Sequence, residues 1–171
     1  PLVRKFLSGR QQGAKYAVPT IEVLSSMSGG TSAAWTDPPR GAELTKAQIA
    51  QGVDVVFAAA GTTGLGIMQA ARDAGKLAIG VDSNQNHLQP GTMLTSMLKR
   101  VDVAVYNISK QTKPGVTVLG LKEGGVDYAM DQHNAKLVGA DMKARVDAAK
   151  ADIIAGKIKV ADYMADNACK Y

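Results

Sequence analysis

The groups in this sequence best placed to do chemistry stand behind its apolar runs. Ala60-Gly61-Thr62-Thr63-Gly64 is a glycine-bounded turn that follows the run 53–60 (VDVVFAAA) and leads into a segment of helical period. Backbone N–H groups at such a helix start suit an anion or a polar oxygen. Gly61, Gly64 and Gly66 fit neither GxGxxG nor GxxxxGK[ST], and a tight turn with close packing accounts for them equally well. Asp82 closes the run 77–81 (LAIGV) and is followed by Ser83, Asn84 and Gln85. One carboxylate can accept from two adjacent hydroxyls of a neutral polyol through charge-assisted hydrogen bonds. The competing expectation is an Asx-turn that serves only its own backbone. Trp35, the only tryptophan, lies in a polar loop, where it is either a stacking platform or a plug over the sheet. Lys99 follows the apolar run 93–98; at a strand end it would donate into the cleft that Asp82 faces, and on an open surface it would signify nothing.

Other chemistry is poorly served. His87 and Cys169 have polar neighbours and no evident catalytic partner, and no Ser/His/Asp set or nucleophile elbow emerges. One cysteine excludes an internal disulfide framework and a cysteine zinc cluster, and two histidines make a histidine-rich metal site a poor expectation. No cofactor is expected. The net charge of +5 arises from 20 basic and 15 acidic residues, but Asp141, Asp147 and Asp152 interrupt the basic stretch 136–159. That distribution describes a solvated face and assigns no nucleic-acid partner.

The elements that would position these groups alternate along the chain. At 171 residues, with 46% hydrophobic and 20% charged side chains, one domain burying roughly 70% of its unfolded surface is expected. No run reaches the ~18 apolar residues of a membrane span. Helical spacing covers 2–16, with Pro19 beyond it, and Asp37-Pro38 is a capped start for a helix running to Gln51 and stopped by Gly52. Helices are also predicted over 65–74, 101–109 and the stretch holding Met142, Val146, Ala149 and Ile153, the last ending near Gly156. Strands are predicted at 21–24, 53–60, 77–81 and 116–121, and 25–39 reads as a loop. Alternating strands and helices imply βαβ units, hence an α/β fold: a three-layer parallel sheet with helices on both faces. Ligands of such sheets bind beyond the carboxyl ends of the strands, where the loops above would lie.

The stretches VDVVFAAAGTTGLGIMQAARDAG, AIGVDSNQN, PGTMLTSMLKRVDVAVY and LGLKEGGVDYAM, in this order, resemble the basic membrane protein family. Its members are substrate-binding lipoproteins of ABC importers, and those characterised are purine nucleoside receptors. The resemblance runs from Pro1 to about Lys159. It implies a fold similar to type I periplasmic binding proteins, in which two α/β lobes close on a ligand. By position, Trp35 matches the aromatic residue that stacks on the base, Gly61 lies in the loop whose backbone approaches the ligand, Asp82 matches the aspartate that holds the ribose hydroxyls, and Lys99 the lysine that donates to the sugar. Where the family has Gly-Gly-Thr-Gly, this chain has Gly61-Thr62-Thr63-Gly64, which narrows the loop.

The resemblance covers the family's second half only. It implies that 1–99 forms the second-lobe α/β region and that 100–171 holds the crossing segment and the C-terminal elements that complete the lobes. The first lobe and the first strand of the second lobe would precede Pro1. Loss of that strand would leave a buried parallel strand with an open edge, so a partner segment, a second copy or a rearrangement is expected there. The implied role is a nucleoside-binding, non-enzymatic component in the periplasm or at the outer face of the cytoplasmic membrane, delivering to an ABC permease. The alternatives are a ligand-sensing regulatory domain and an α/β enzyme using the Gly61 turn for a phosphate or cofactor. A lipidated leader in the parent chain would favour transport, a helix-turn-helix regulation, and a general base catalysis.

Overall fold

Helical spacing closed by Pro19 gives α1 (Leu2–Ala17) in the computed structural model, which describes residues 2–111 and 114–166. Cys169 lies outside the described residues. After α1 the chain runs without regular secondary structure through 21–29 to a 3-10 turn, Ser32–Trp35, and then to α2 (Pro38–Ala50). The Asp37 carboxylate accepts the Arg40 N–H at 3.0 Å, the cap anticipated from the Asp-Pro pair. β1 (Val55–Phe57) leads through the Gly61 turn into α3 (Thr63–Asp73), followed by β2 (Leu77–Asp82), β3 (Met93–Lys99) and α4 (Val101–Ser109). β4 (Val126–Tyr128), α5 (Ala140–Ile154) and α6 (Tyr163–Asp166) complete the described elements.

The sheet has the order β1-β2-β3-β4. β1, β2 and β3 are parallel, whereas β4 runs antiparallel to β3, so the expectation of an all-parallel sheet is corrected at one edge. Two predicted strands are absent. Residues 21–24 join no ladder, and in 116–121 Val116 and Val118 are 97% and 83% exposed. The run 53–60 contributes only three paired residues, and Val55 is 38% exposed rather than covered on both sides.

The core is small and tight. Val56, Ala58, Ala78 and Met93 of the sheet region meet Met68 and Ala71 of α3. Full burial of Met68 and Met93 contributes roughly 1.5–3 kcal/mol each. α2 packs on α3 through missing side chains: a Cβ on Gly66 would stand 1.9 Å from the Pro38 carbonyl oxygen, and one on Gly41 would stand 2.5 Å from that of Thr63. Only glycine allows that approach, which seats the N-terminus of α3 directly under the Trp35 turn.

The β2–β3 ladder shifts between Ala78 and Ile79, so that Met93 faces Ala78 and Thr95 faces Ile79. The skipped residue, Leu94, offers its carbonyl to Asn134 Nδ2 at 2.9 Å. Such a shift re-aims the residues downstream. Here it sets Leu98 opposite Asp82 and places Lys99 next in line.

Candidate functional site

Beyond the carboxyl ends of β1, β2 and β3 stand the four residues singled out above, in two touching pairs. Lys99 Nζ lies 2.7 Å from Asp82 Oδ1, and each side chain is about half exposed. Asp82 is the one non-glycine residue with positive φ among those described, at 71°. That conformation is uncommon outside glycine, although aspartate and asparagine tolerate it better than most residues. It is the kind of local strain that clusters where a side chain must be aimed.

The second pair is Trp35 and Gly61. Gly61 has φ +58°, and a Cβ there would lie 3.1 Å from the Trp35 carbonyl oxygen and 3.3 Å from Cε3 of the indole. The backbone conformation therefore favours glycine, and Trp35 leaves a Cβ there little room. The Thr63 hydroxyl locks the turn: it donates to the Ala34 carbonyl at 2.7 Å and accepts the Asp37 N–H at 2.8 Å, gripping the chain on both sides of Trp35. Thr63 is fully buried, while Trp35 remains 45% exposed.

The two pairs open at the same end of the sheet but line different hollows. Trp35 lines a cleft of about 710 Å³ with Phe6, Ala60 and Ile67. Asp82 and Lys99 line a shallower bowl of about 570 Å³ with Asn84, Arg100 and Asp102. Phe6 of α1 spans them, since the Lys99 ammonium lies 4.9 Å from its ring centroid, within cation–π range. An aromatic face, an exposed indole and a paired acid and amine thus share one rim. In the bowl Arg100 chelates Asp102, with the shortest contact at 2.8 Å, and holds that carboxyl down at about 2.

The loop after β2 is tied from behind by groups that sequence reasoning missed. Asp131 Oδ2 accepts from Asn84 Nδ2 at 2.6 Å and from Asn86 Nδ2 at 3.1 Å. The hydrogen bond from Asn84, followed by others from the His133 N–H and Asn86, holds the Asp131 carboxyl below the usual carboxylate range despite some desolvation. Ser96 Oγ donates to Asn86 Oδ1 at 2.8 Å and accepts the Gln85 N–H at 3.0 Å. Asn86, Ser96 and Asn134 are all fully buried. The Asx-turn considered for Asp82 is made instead by Asn84, whose Oδ1 accepts the Asn86 N–H at 3.0 Å. Asp82 is thereby left to pair with Lys99. The amide run 84–86 was visible in the sequence, but its partner 45 residues on was not.

Among the described residues, no group of three or more His, Cys, Asp or Glu side chains could hold a metal ion. No helix among the described residues is long and apolar enough to cross a membrane. His87 lies exposed at the surface.

Comparison with known proteins places this rim in context. A family model described as "ABC transporter substrate-binding protein PnrA-like" matches residues 1–163. Basic membrane protein D of Borreliella burgdorferi (strain JD1) is 33% identical over 141 residues, covering 77% of this chain and 40% of that protein. A Lactococcus lactis protein named ABC transporter nucleoside-binding protein BmpA is 32% identical, covering 93% of this chain and 49% of that protein. A solved structure of ABC transporter system solute-binding proteins from Aeropyrum pernix K1 matches with a TM-score of 0.70 at 26% identity, over 86% of this chain and 50% of that one. The chain therefore spans about half the length of the curated relatives it matches. Its single α/β lobe corresponds to about half of a larger solute-binding protein.

Proposed function

Since the chain belongs to the family of PnrA-like ABC transporter substrate-binding proteins, we propose that it contributes one wall of a site for a purine nucleoside or a similar sugar-bearing solute. The ion pair of Asp82 and Lys99 at the ends of β2 and β3 carries this reading. A ribose presents two adjacent hydroxyls, each able to donate and to accept. The carboxylate accepts from both, and the ammonium donates to a hydroxyl oxygen of the same ring. Trp35, steadied by Thr63 and flanked by the Gly61 turn, offers an apolar face on which the base stacks. The Lactococcus relative, named as nucleoside-binding, supports the same ligand class.

In this reading residues 1–99 form the second-lobe wall, and 100–171 carry the crossing segment and complete the lobes. A first-lobe segment, or a second copy of the chain, supplies the opposing wall. Ligand contacts made to both walls favour the closed arrangement, because only that arrangement satisfies them together. The family is one of ABC transporter substrate-binding proteins, and in this reading the rim grips a solute rather than transforming it. Delivery to an ABC permease from the periplasm or the outer face of the cytoplasmic membrane follows as the physiological setting.

Calorimetry with adenosine, guanosine, inosine and ribose on the protein carrying both lobes tests the reading. Binding of a nucleoside, weakened roughly 10- to 100-fold by removal of the ribose 2′-hydroxyl, is the expected result. Absence of heat with every nucleoside would reject it.

A further inference from the structure

We infer that Asp102 is a specificity-determining residue, whose carboxylate keeps phosphorylated solutes out of the bowl beside Asp82 and Lys99. Among the described residues, the charged side chains lining the bowl are Asp82, Lys99, Arg100 and Asp102. Their charges cancel, and each cation is already engaged by an acid. Lys99 Nζ lies 2.7 Å from Asp82 Oδ1. Arg100 grips Asp102 with two nitrogens, Nε donating to Oδ1 at 3.0 Å and Nη2 to Oδ2 at 2.8 Å. That fork-on-fork pairing occupies the same guanidinium edge with which an arginine takes a phosphate.

Asp102 is placed for this task by its element. It stands in the first turn of α4, where negative charge is favoured, and Arg100 immediately precedes that helix. The Arg100 N–H donates to the Gly125 carbonyl at 2.8 Å, which ties the corner to the segment leading into β4. Arg100 first, then the N–H groups of Val103 and of Asp102 itself, hold the Asp102 carboxyl down at about 2, so it stays charged throughout the neutral range. Asp127, also within electrostatic reach of Arg100, is held by Lys150 at 2.8 Å and does not line the bowl.

A neutral polyol meets no penalty here, because its hydroxyls can join the Asp82–Lys99 pair as donors and acceptors. A phosphate monoester brings about −1.5 to −2 charges at neutral pH. It would face two carboxylates and find no uncommitted cation, and like charges brought together cost affinity rather than merely failing to add it. The choice of a 5′-phosphate as the excluded group rests on the nucleoside reading. With the base on Trp35 and the two adjacent hydroxyls on Asp82, the arm at C4′ is the part of the ligand left to enter the bowl. The exclusion of phosphate itself does not depend on that reading.

The test keeps the two apart. Inorganic phosphate and ribose 5-phosphate are titrated into the 171-residue chain while the amide signals of 99–103 are followed by NMR. The unsubstituted chain should respond weakly, and Asp102→Asn, which frees Arg100, should bind both at least ~10-fold more tightly. Asp102→Ser reaches the same neutral state by a second route. Asp102→Glu keeps the charge and should respond as weakly as the unsubstituted chain, and adding Arg100→Gln to Asp102→Asn should abolish the gain. Asp152→Asn makes the same change in net charge at an exposed pair with Lys157 and should gain nothing. In the protein carrying both lobes, Asp102→Asn should raise the affinity for adenosine 5′-monophosphate relative to adenosine by at least ~10-fold. Loss of the nucleoside reading would show there as an absence of adenosine binding, with the phosphate gain in the 171-residue chain intact. Failure of both neutral variants to gain phosphate affinity, an equal gain in Asp152→Asn, or tight phosphate binding by the unsubstituted chain would overturn the role given to Asp102.

Discussion

At Asp82 two demands meet, a left-handed backbone and a carboxylate at the rim, and substitutions can separate them. The exposed ion pair with Lys99 contributes only about 0–1 kcal/mol to stability. Placing alanine in the left-handed region costs roughly 1–2 kcal/mol, which glycine avoids. Asp82→Ala should therefore lower unfolding stability by about 1 kcal/mol, while Asp82→Gly should be neutral or slightly stabilising in denaturant titration. Both should weaken nucleoside binding at least ~10-fold if the carboxylate grips the sugar. Full affinity in the glycine variant would show Asp82 to be a turn residue and nothing more. Asp131 acts one layer behind. Its carboxyl is held below the usual range by Asn84 first, so its contribution to ordering the loop is present above the unfolded value of about 3.9 and is lost as pH falls through the lower folded value. Amide exchange across 83–86 should stay slow from about pH 6 down to about pH 4 and accelerate below that, whereas Asp131→Asn should be fast throughout. A profile flat to pH 3 would remove Asp131 from this role.

Between elements, the contact that matters most to the rim is the buried Thr63 hydroxyl joining the start of α3 to the turn before α2. Thr63→Ala strands a carbonyl at Ala34 and an N–H at Asp37, which should cost about 1–3 kcal/mol in thermal or chemical unfolding. It should also red-shift and depolarise Trp35 emission, and Thr63→Ser should restore both. An unaltered Trp35 signal would mean that the turn holds its shape without the hydroxyl. The helices were legible beforehand because their information is local: the Asp37-Pro38 cap and the glycine stops sit within a few residues of the boundaries they set. Strands need neighbours that a local pattern does not reveal. Residues 21–24 have strand composition and no ladder, and Val116 and Val118 face solvent where a strand was expected. The short antiparallel β4, with Asp127 at its centre, carries no periodic signal long enough to read. The rim was legible because it sits at the ends of strongly apolar runs. Its support was not, because Asp131 meets Asn84 and Asn86 only once the chain has folded.

Taken as a whole, the molecule has its α/β half in order and much apolar surface uncovered. Val101, Val105 and Ile108 repeat at helical spacing along α4 and are 63%, 63% and 48% exposed. Met142 and Val146, whose spacing marked out α5, are 44% and 41% exposed, beside a further apolar groove shared with the end of α1. In a self-sufficient domain the periodic face of a helix is its buried face. Here the periodicity is present and the cover is not, so the sequence pattern records a packing that the described residues do not make among themselves. Lysine at Val105 and Ile108 together should then change the unfolding free energy of the chain by no more than about 0.5 kcal/mol, the usual range for surface positions. The same pair should reduce self-association in sedimentation velocity, since it breaks an exposed apolar stripe. In the protein carrying both lobes the pair should instead lower the melting midpoint, because there a large apolar side chain would be traded for a buried charge. A loss of several kcal/mol in the 171-residue chain alone would mean that α4 is already packed in solution.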